Sequence, residues 1–593
     1  MAVREGGMEQ PTSMIPDTVQ AVLAARIDRL SPVEKRLLQT AAVIGHDIPL
    51  PLLQAVAELS EDVLQHGLAR LQAGEFLYEM RSFPDLAYTF KHALTHQVAY
   101  SSLLQERRCT LHARIVDALE RLYADRLAEG ASGAKGLPAG RQDLDQVERL
   151  AHHAWQGEVW EKAVAYLRQA GAKAIAGSAN REAVAHFESV LVALQHLPES
   201  RDILEQAIDV RCELRMALMP LNEQGRIFAI LREAEALAQA LADQRRLGRV
   251  SVLLTHYLWT MRDLEHALAT GHCVLDLATT LRDISLQTMA YFVLGEVYYS
   301  QGDYRRAMDM LRRNVKALDH AEAQERFGEP ALGPGLQSVA SRRWLIQALA
   351  DVGAFAEGIA LAENAIRLAE ADGHPYTLVL AYGGVSHLHL AKGEACKAVP
   401  LLDRGLELCR VWGLQQPCTG VAGALGYALA LAGRIPEALA VVERTVGQAP
   451  SASWVSSASL YAAWVSEVYL RAGHLADAHT LAVQALALAC KRKERGTEAW
   501  TLRLLGDIAM HCDPLEAEKA KNYYQQALAL ADELGMRPLQ AHCHLGLGTL
   551  YGQTGQMVQA RAELSTAIAL YRAMEMTFWL PQAEAALAQV ESR

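Results

Sequence analysis

Hydrophobic residues recur at helical spacing along most of this chain, and over its C-terminal two-thirds the pattern itself repeats about every 40 residues. Each copy is marked by one residue, usually glycine, with alanine or glycine five positions later. These pairs are Arg262/Ala267, Gly302/Ala307, Gly353/Gly358, Gly393/Ala398, Gly433/Ala438, Gly473/Ala478 and Gly555/Ala560. The step from Gly302 to Gly353 is longer, which predicts an irregular insertion near residues 320–342. A fixed period of this size predicts stacked helical units that each contact only their neighbours.

One copy shows how the repeat is built. Gly295 lies two helical turns before Gly302 on the same helix face, where a small residue lets a second helix approach. Gly302 ends the first helix, because glycine adopts a left-handed turn without strain. Asp303 is placed to cap the second helix, and Ala307 lies where the two helices cross. The pattern therefore predicts a helical hairpin.

These landmarks closely resemble those of the tetratricopeptide repeat (TPR), although the period here is longer than that repeat usually has. The resemblance covers residues 143–593 and implies an all-α fold, a TPR-like α-solenoid in which helical hairpins form a right-handed superhelix. Later copies depart from the pattern because they lack a tyrosine at the position equivalent to Tyr304. An unrelated helical bundle is the alternative, but it would not keep register over seven units.

Residues 15–125 do not follow the repeat. Helices are predicted from Pro16, from the capping-box sequence that starts at Ser31, from Asp47, and over Glu61–Ala73. Two short aromatic-rich runs then predict one β-hairpin within residues 75–91. Helices followed by a hairpin indicate a small winged-helix domain. Residues 1–14 are predicted to be disordered, and residues 126–142 to form a linker.

Four segments of this N-terminal region resemble a known family. They are Thr18–Leu30, Leu38–Gly45, Tyr88–Leu94 and Val98–Leu104. They look like the region directly after the nucleotide-binding core of STAND signal-transduction ATPases. More narrowly, they resemble bacterial multidomain signalling proteins that carry a class III adenylate/guanylate cyclase domain, an ATPase and C-terminal TPRs. The resemblance implies a separate or fused ATPase/cyclase domain as a partner.

The chain departs from that family in its phosphate-binding motif. It contains no G-x-x-x-x-G-K-[ST] sequence, and the nearest imitation, residues 130–136, lacks the Ser/Thr. Without a loop of amides to hold phosphates, no nucleotide or other cofactor is expected and the chain is not predicted to be an enzyme. The chain then corresponds to the C-terminal sensor half of a larger machine, as a separate or truncated reading frame.

His92 follows the second predicted strand, where the family resemblance implies a histidine that reaches the bound nucleotide. It is a candidate nucleotide-sensing relic, and an ordinary histidine at the start of a helix is the alternative.

His511-Cys512 and His542-Cys543-His544 suggest metal ligands, but in repeat register they lie about 15 Å apart, too far for one ion. No metal site is predicted.

Charge and composition narrow the partners. The net charge is −11, and acids outnumber bases in residues 1–126, which weighs against nucleic-acid binding. No apolar run reaches membrane-spanning length, and no secretory signal is seen. Nine cysteines without a C-x-x-C motif indicate reduced thiols, so a cytoplasmic location without nucleic-acid or membrane partners is predicted.

The candidate site is the concave face of the solenoid, formed by the first helix of each repeat. A row of polar or aromatic residues lies six positions before each landmark, flanked by further aromatic and arginine side chains. The predicted groove residues are His256, Trp259, Glu296, Tyr299, Arg343, Gln347, His387, Tyr427, Glu467, Arg503 and Asp507. Because the row is expected to face solvent, substituting any of its side chains should change the free energy of unfolding by no more than about 0.5 kcal/mol. The alternative is that a helix simply needs one solvated stripe.

The leading functional hypothesis is a non-catalytic module that binds a protein or peptide in the concave groove and acts as sensor or regulatory scaffold of a STAND ATPase/cyclase-type system. A second is a fragment of a nucleotide cyclase or ATPase that lacks the catalytic domains. A third is a DNA-binding transcriptional regulator that acts through the winged helix.

Overall fold

The computed structural model describes residues 17–81, 86–130, 141–177, 179–320, 335–446 and 458–592. The chain forms two compact units, Met1–Val210 and Arg211–Arg593. Helices account for nearly all of its regular structure, so the predicted all-α solenoid class is confirmed. Within the described ranges, no helix combines the length and the apolar character that crossing a membrane requires.

The first unit opens with short helices around a small sheet and continues into longer helices that pack in sequence. Its helices are α1 (Asp17–Asp28), α2 (Pro32–Ile44), α3 (Leu50–Ala57), α4 (Glu61–Ala73), α5 (Ala93–Ser101), α6 (Gln105–Gly130), α7 (Arg141–Gln156), α8 (Trp160–Ala176), α9 (Asn180–Gln195) and the start of α10 (Arg201–Leu218). At α2 the expected capping box is present: the Glu34 amide donates to Ser31 Oγ (3.3 Å), and the Ser31 amide to Glu34 Oε2 (2.9 Å).

The sheet contains the predicted hairpin. Its strands are β1 (Asp47–Pro49), β2 (Leu77–Arg81) and β3 (Leu86–Phe90), in the order β1-β3-β2 with antiparallel pairing throughout. The helix expected from Asp47 begins only at Leu50. Ile48 precedes a proline, which disfavours helical backbone at that residue, and it is fully buried beside β3. The winged-helix assignment stays a prediction.

The second unit is a stack of helical hairpins. Its helices after α10 are α11 (Gln224–Ala240), α12 (Gln244–Thr260), α13 (Leu264–Leu281), α14 (Ile284–Gln301), α15 (Tyr304–His320), α16 (Gln337–Val352), α17 (Phe355–Asp372), α18 (Pro375–Lys392), α19 (Ala395–Val411), α20 (Gln415–Leu431), α21 (Ile435–Val446), α22 (Ala458–Arg471), α23 (Leu475–Lys491), α24 (Arg495–Met510), α25 (Ala517–Leu534), α26 (Arg537–Gln553), α27 (Met557–Ala573) and α28 (Leu580–Glu591). From α12 to α26, the even-numbered helices are the first helices of the hairpins.

The repeat landmarks play the parts expected of them. Gly302 ends α14 with φ +79°, and Asp303 Oδ1 accepts the Arg306 amide at 3.1 Å. A Cβ on Gly295 would lie 2.6 Å from Leu311, so only glycine fits where the two helices meet. Ala307 is fully buried. Arg262 occupies the corresponding turn and adopts the same left-handed backbone conformation, with φ +65°, although it is not glycine.

The predicted insertion and the predicted linker are partly helical in the described residues. α16 begins at Gln337, so residues 337–342 of the predicted insertion are helical. Residues 126–130 and 141–142 of the predicted linker likewise belong to α6 and α7. The rest of the linker, residues 321–334 of the insertion and the segment 1–14, for which disorder was predicted, lie outside the described residues.

The stack of the second unit bends back on itself. α14 contacts α24, and α16 contacts α26, although nine described helices lie between the members of each pair along the chain. The turn at Gly393 packs against Trp579, which lies just before α28. This curvature brings first helices from distant repeats around a common space.

Candidate ligand-binding cavity

A cavity lies inside the second unit, between the first helices α12, α14, α16, α18, α20, α22 and α24. Its space measures about 1090 Å³, including the part open to solvent. Eight of the eleven predicted groove residues line it: Trp259, Tyr299, Arg343, Gln347, His387, Tyr427, Glu467 and Arg503. The other three, His256, Glu296 and Asp507, lie behind this lining. The repeat register therefore located the cavity wall.

Aromatic rings form one wall. The Trp344 ring lies 5.0 Å from that of Tyr299 and 6.1 Å from that of Trp259, between centroids. Tyr299 also meets Tyr304 edge to face at 5.5 Å. Such rings provide large contact area with little conformational freedom to lose on binding.

Asp351 holds two cavity residues in place. Its carboxylate accepts a hydrogen bond from the Tyr299 hydroxyl at 2.8 Å and lies 3.1 Å from His387 Nε2. Burial, together with Asp351, raises the pKa of Tyr299 well above its ordinary value. The tyrosine is therefore an uncharged donor fixed toward α16, on which Asp351 lies.

Arg503 is the centre of a charged cluster. Its guanidinium donates to Glu467 of α22 and to Asp507 one turn along α24. Burial alone would raise the pKa of Glu467, but Arg503 and Arg471 outweigh it and leave that pKa lowered. The Tyr524 hydroxyl adds a 2.6 Å hydrogen bond to Asp507. This cluster joins the last two first helices of the cavity.

A second polar cluster lies behind the opposite end. Arg215 Nη2 is 2.9 Å from His256 Nδ1, and His256 Nε2 is 4.0 Å from Glu296 Oε2. Burial lowers the pKa of His256 to about 3 and raises that of Glu296 to about 8. Both groups are therefore neutral at pH 7, and their contact is not an ion pair.

A salt bridge absent from the predicted set closes the cavity between distant repeats. Arg262 Nη2 lies 3.0 Å from Glu494 Oε1, and the Arg262 guanidinium stacks over Trp259 at 5.3 Å. Glu494 comes immediately before α24. The unusual arginine at a glycine landmark was the available sequence signal, but its partner, several repeats further along the chain, was not readable.

Arg343 differs from the other cavity cations. Arg262 and Arg503 each bind a carboxylate, whereas no salt bridge of Arg343 is found within the described part of the chain. Its guanidinium lies 4.5 Å from the Trp344 ring centre, and burial lowers its pKa. Gln347 Oε1 and His387 Nδ1 also make no hydrogen bond to described residues. Both atoms are buried at the cavity wall, where the described residues give them no hydrogen-bond partner.

The expectation of a solvent-facing row is wrong. Glu296 is 4% exposed, Glu467 5% and Arg503 9%. The curvature of the stack turns one helix face inward and packs these side chains against one another. Tolerance to substitution is therefore no longer expected for these residues, because removing one partner of a buried ionic cluster is costly.

The remaining sequence candidates lie apart from the cavity. His92 is exposed at the N-cap of α5, so its proposed nucleotide-sensing role stays a prediction. His542 Nδ1 is 2.8 Å from the Tyr571 hydroxyl, His544 bonds Glu563, and His511 bonds the carbonyl of Asp507. Each of these three histidines, His511, His542 and His544, has its own protein partner.

Comparison with known proteins gives fold-level likeness. No family model and no curated protein matches the chain. A Rap protein complexed with competence and sporulation factor is 18% identical, with a TM-score of 0.45, over 63% of this chain and 99% of that one. A STAND protein with a TPR sensor from Pyrococcus horikoshii is 12% identical, with a TM-score of 0.48, over 80% of this chain and 66% of that one. NprR in complex with its peptide NprX is 13% identical, with a TM-score of 0.38, over 67% and 99%. At these scores the structural likeness supports no conclusion about function. The functional proposal rests on the cavity itself.

Proposed function

We propose that this chain is a non-catalytic TPR-type module that binds a peptide or protein segment in the cavity of its second unit. Its role is that of a sensor or regulatory scaffold in a STAND ATPase/cyclase-type signalling system. The observation that carries the proposal is the convergence of seven first helices on one cavity with an aromatic wall and an arginine for which the described residues supply no salt bridge.

The lining favours a ligand with an apolar part and an acidic group. The rings of Trp259, Tyr299 and Trp344 supply the apolar contact area. Arg343 offers a guanidinium to a carboxylate, which it can bind through two parallel hydrogen bonds. Gln347 and His387 add polar contacts that fix orientation. A peptide segment bearing a C-terminal or side-chain carboxylate fits this set.

The ligand is a segment rather than a folded domain, because the cavity lies between packed helices. The Arg262–Glu494 salt bridge at the wall joins repeats far apart in sequence. Binding in the cavity can therefore act on the curvature of the stack and so signal to an attached or separate partner.

The test selects peptides from a display library with carboxylate-bearing termini and measures their affinity by calorimetry. Arg343→Gln should weaken binding by about 2 kcal/mol, the scale of an anchor residue. Tyr299→Phe, which removes only the hydroxyl, should weaken it less. The matched control is Arg404→Gln, since Arg404 is an exposed arginine on the second helix α19.

Selected peptides whose affinity is unchanged by Arg343→Gln but reduced by Arg404→Gln would place the binding surface on the convex side and overturn the proposal. A library that yields no binder to the wild-type chain would also count against it. Circular dichroism of each variant separates loss of binding from loss of fold.

A further inference from the structure

Three histidines converge in the first unit, and none of them lines the cavity of the second unit. His112 lies on α6, and His152 and His153 lie on α7, which packs against it. The Nδ1 atoms of His112 and His153 are 2.8 Å apart. One ring nitrogen from each of the three lies within 4.8 Å of the others. Ligand atoms around a tetrahedral zinc ion are separated by about 3.3 Å, given Zn–N bonds of about 2.0 Å. Small side-chain rotations thus bring all three to one ion.

The rings are in the protonation state that metal binding needs. Burial lowers the pKa of His112 to about 4 and that of His153 to about 2, and it also lowers the pKa of His152. All three imidazoles are therefore neutral at pH 7, as metal ligands must be. The Nδ1 atoms of His112 and His153 lie within hydrogen-bonding distance and share one hydrogen, which a metal ion would displace. Neutral rings also argue against an anion as the natural ligand.

The second nitrogen of His112 already has a partner. The Tyr100 hydroxyl lies 3.1 Å from His112 Nε2. A hydrogen bond from Nε2–H to this oxygen leaves Nδ1 as the free lone pair and fixes the ring. Metal-binding histidines are held in this way by an outer partner.

A cavity adjoins the cluster, and all three histidines belong to its lining. Its wall includes Glu148, whose carboxylate lies 2.7 Å from Lys173 Nζ, and Arg149. Arg108 stacks over the Tyr100 ring at 5.1 Å. The two guanidiniums oppose a dication, and Glu148 partly offsets them, so binding should be weaker than in a closed structural zinc site.

We propose that His112, His152 and His153 form a three-histidine site for a divalent transition-metal ion, with Zn²⁺ the best match to the ligand set. The proposal does not rest on the peptide-binding function. The sequence carries a signal for this pair, because His153 follows His112 by 41 positions, close to one repeat period.

The test is calorimetric titration of Zn²⁺ into the untagged, chelator-treated full chain, with Co²⁺ as a spectroscopic probe. We expect one Zn²⁺ per chain and visible Co²⁺ bands of four-coordinate geometry. The nine cysteines are the competing ligands, and a thiolate-to-Co²⁺ charge-transfer band would assign the metal to them and overturn the proposal. His152→Ala, at an exposed ligand, should keep the fold and weaken Zn²⁺ binding at least tenfold, about the scale at which even outer-shell changes act.

Tyr100→Phe should weaken binding by about tenfold through loss of ring orientation. His66→Ala, at an exposed histidine of α4 in the same unit, is the control and should leave affinity unchanged. No stoichiometric Zn²⁺ binding would overturn the proposal, as would affinity unchanged by His152→Ala and His153→Ala. Binding of inorganic phosphate in place of Zn²⁺ would identify an anion site instead and also overturn it.

Discussion

Glu296 and Glu467 occupy the same register position in two first helices of the second unit, yet the protein treats them in opposite ways. Both are nearly fully buried, at 4% and 5% exposure. Burial raises the pKa of Glu296 to about 8, so it is mostly protonated at pH 7. The pKa of Glu467 is lowered, because Arg503 and Arg471 outweigh burial.

The difference lies in what reaches each carboxyl group. Arg503, on the next first helix, donates directly to Glu467. Around Glu296, Arg343, Arg215 and Arg262 act as charges nearby, and the hydrogen bond comes from neutral Trp344. The same register position in the neighbouring repeats shows the same contrast. Asp507 is bound by Arg503, whereas neutral His256 faces Glu296. Repeat period determines where a side chain lies, while its neighbours across the curved stack determine its charge.

The largest effect should come from removing the cation of the charged cluster. Arg503→Met keeps most of the side-chain volume but removes the guanidinium that pairs with buried Glu467 and with half-buried Asp507. The loss of stability should be about 3–5 kcal/mol, as for other broken buried ion pairs. Urea unfolding followed by circular dichroism measures it, and Arg367→Met, at an exposed arginine of α17, should stay within about 0.5 kcal/mol. A loss for Arg503→Met as small as that of the control would mean that the cluster is solvated.

Much of the fold was readable because its determinants are local. The turn glycines, the Asp303 cap and the buried Ala307 each follow from residues a few positions apart. The hairpin was likewise found from alternation and aromatic content. The strand at Asp47–Pro49 was missed, since its pairing with β3 joins segments that are distant in sequence, with α3, α4 and β2 between them.

The sequence identified residues that line the cavity, but it did not predict that they are buried. The register placed most groove residues on the cavity wall, but it presented them as exposed. Their burial depends on contacts such as α14 with α24, which no period encodes. For the same reason no local pattern indicated that Glu494 would meet Arg262 or that Asp351 would hold Tyr299.

The contrast between the two glutamates predicts opposite pH behaviour. The folded pKa of Glu296, about 8, lies above the unfolded value near 4.5, so the folded state retains a proton that the unfolded state loses between these values. Its contribution to stability therefore falls as pH rises through this window. Glu296→Gln removes the effect, and its stability relative to wild type should rise by about 2 kcal/mol or more from pH 5 to pH 8. Thermal or urea unfolding at several pH values gives the slope.

Glu467→Gln is the matched control for this pair. The folded pKa of Glu467 is lowered, so its carboxylate stabilises the fold above its unfolded pKa, and this contribution is lost as pH falls through the folded value. The variant should be less stable than wild type across pH 5 to 8, without the rising slope. Equal slopes for the two variants would show that the glutamates share one environment.

The smallest effect in the comparison should come from the hydroxyl that completes the charged cluster. Tyr524 is 2% exposed, and its hydroxyl donates to Asp507 Oδ1 at 2.6 Å, on the oxygen that Arg503 does not contact. Tyr524→Phe keeps the ring against Gly506 and Gly546 while removing one donor to a half-buried carboxylate. The expected loss is about 1.5 kcal/mol, within the range for hydrogen bonds to charged groups. In the Arg503→Met background the same change should have a different cost, because both donors serve one carboxylate and their energies couple. A double-mutant cycle in urea measures this coupling, and strict additivity would show that Tyr524 and Arg503 act on Asp507 independently.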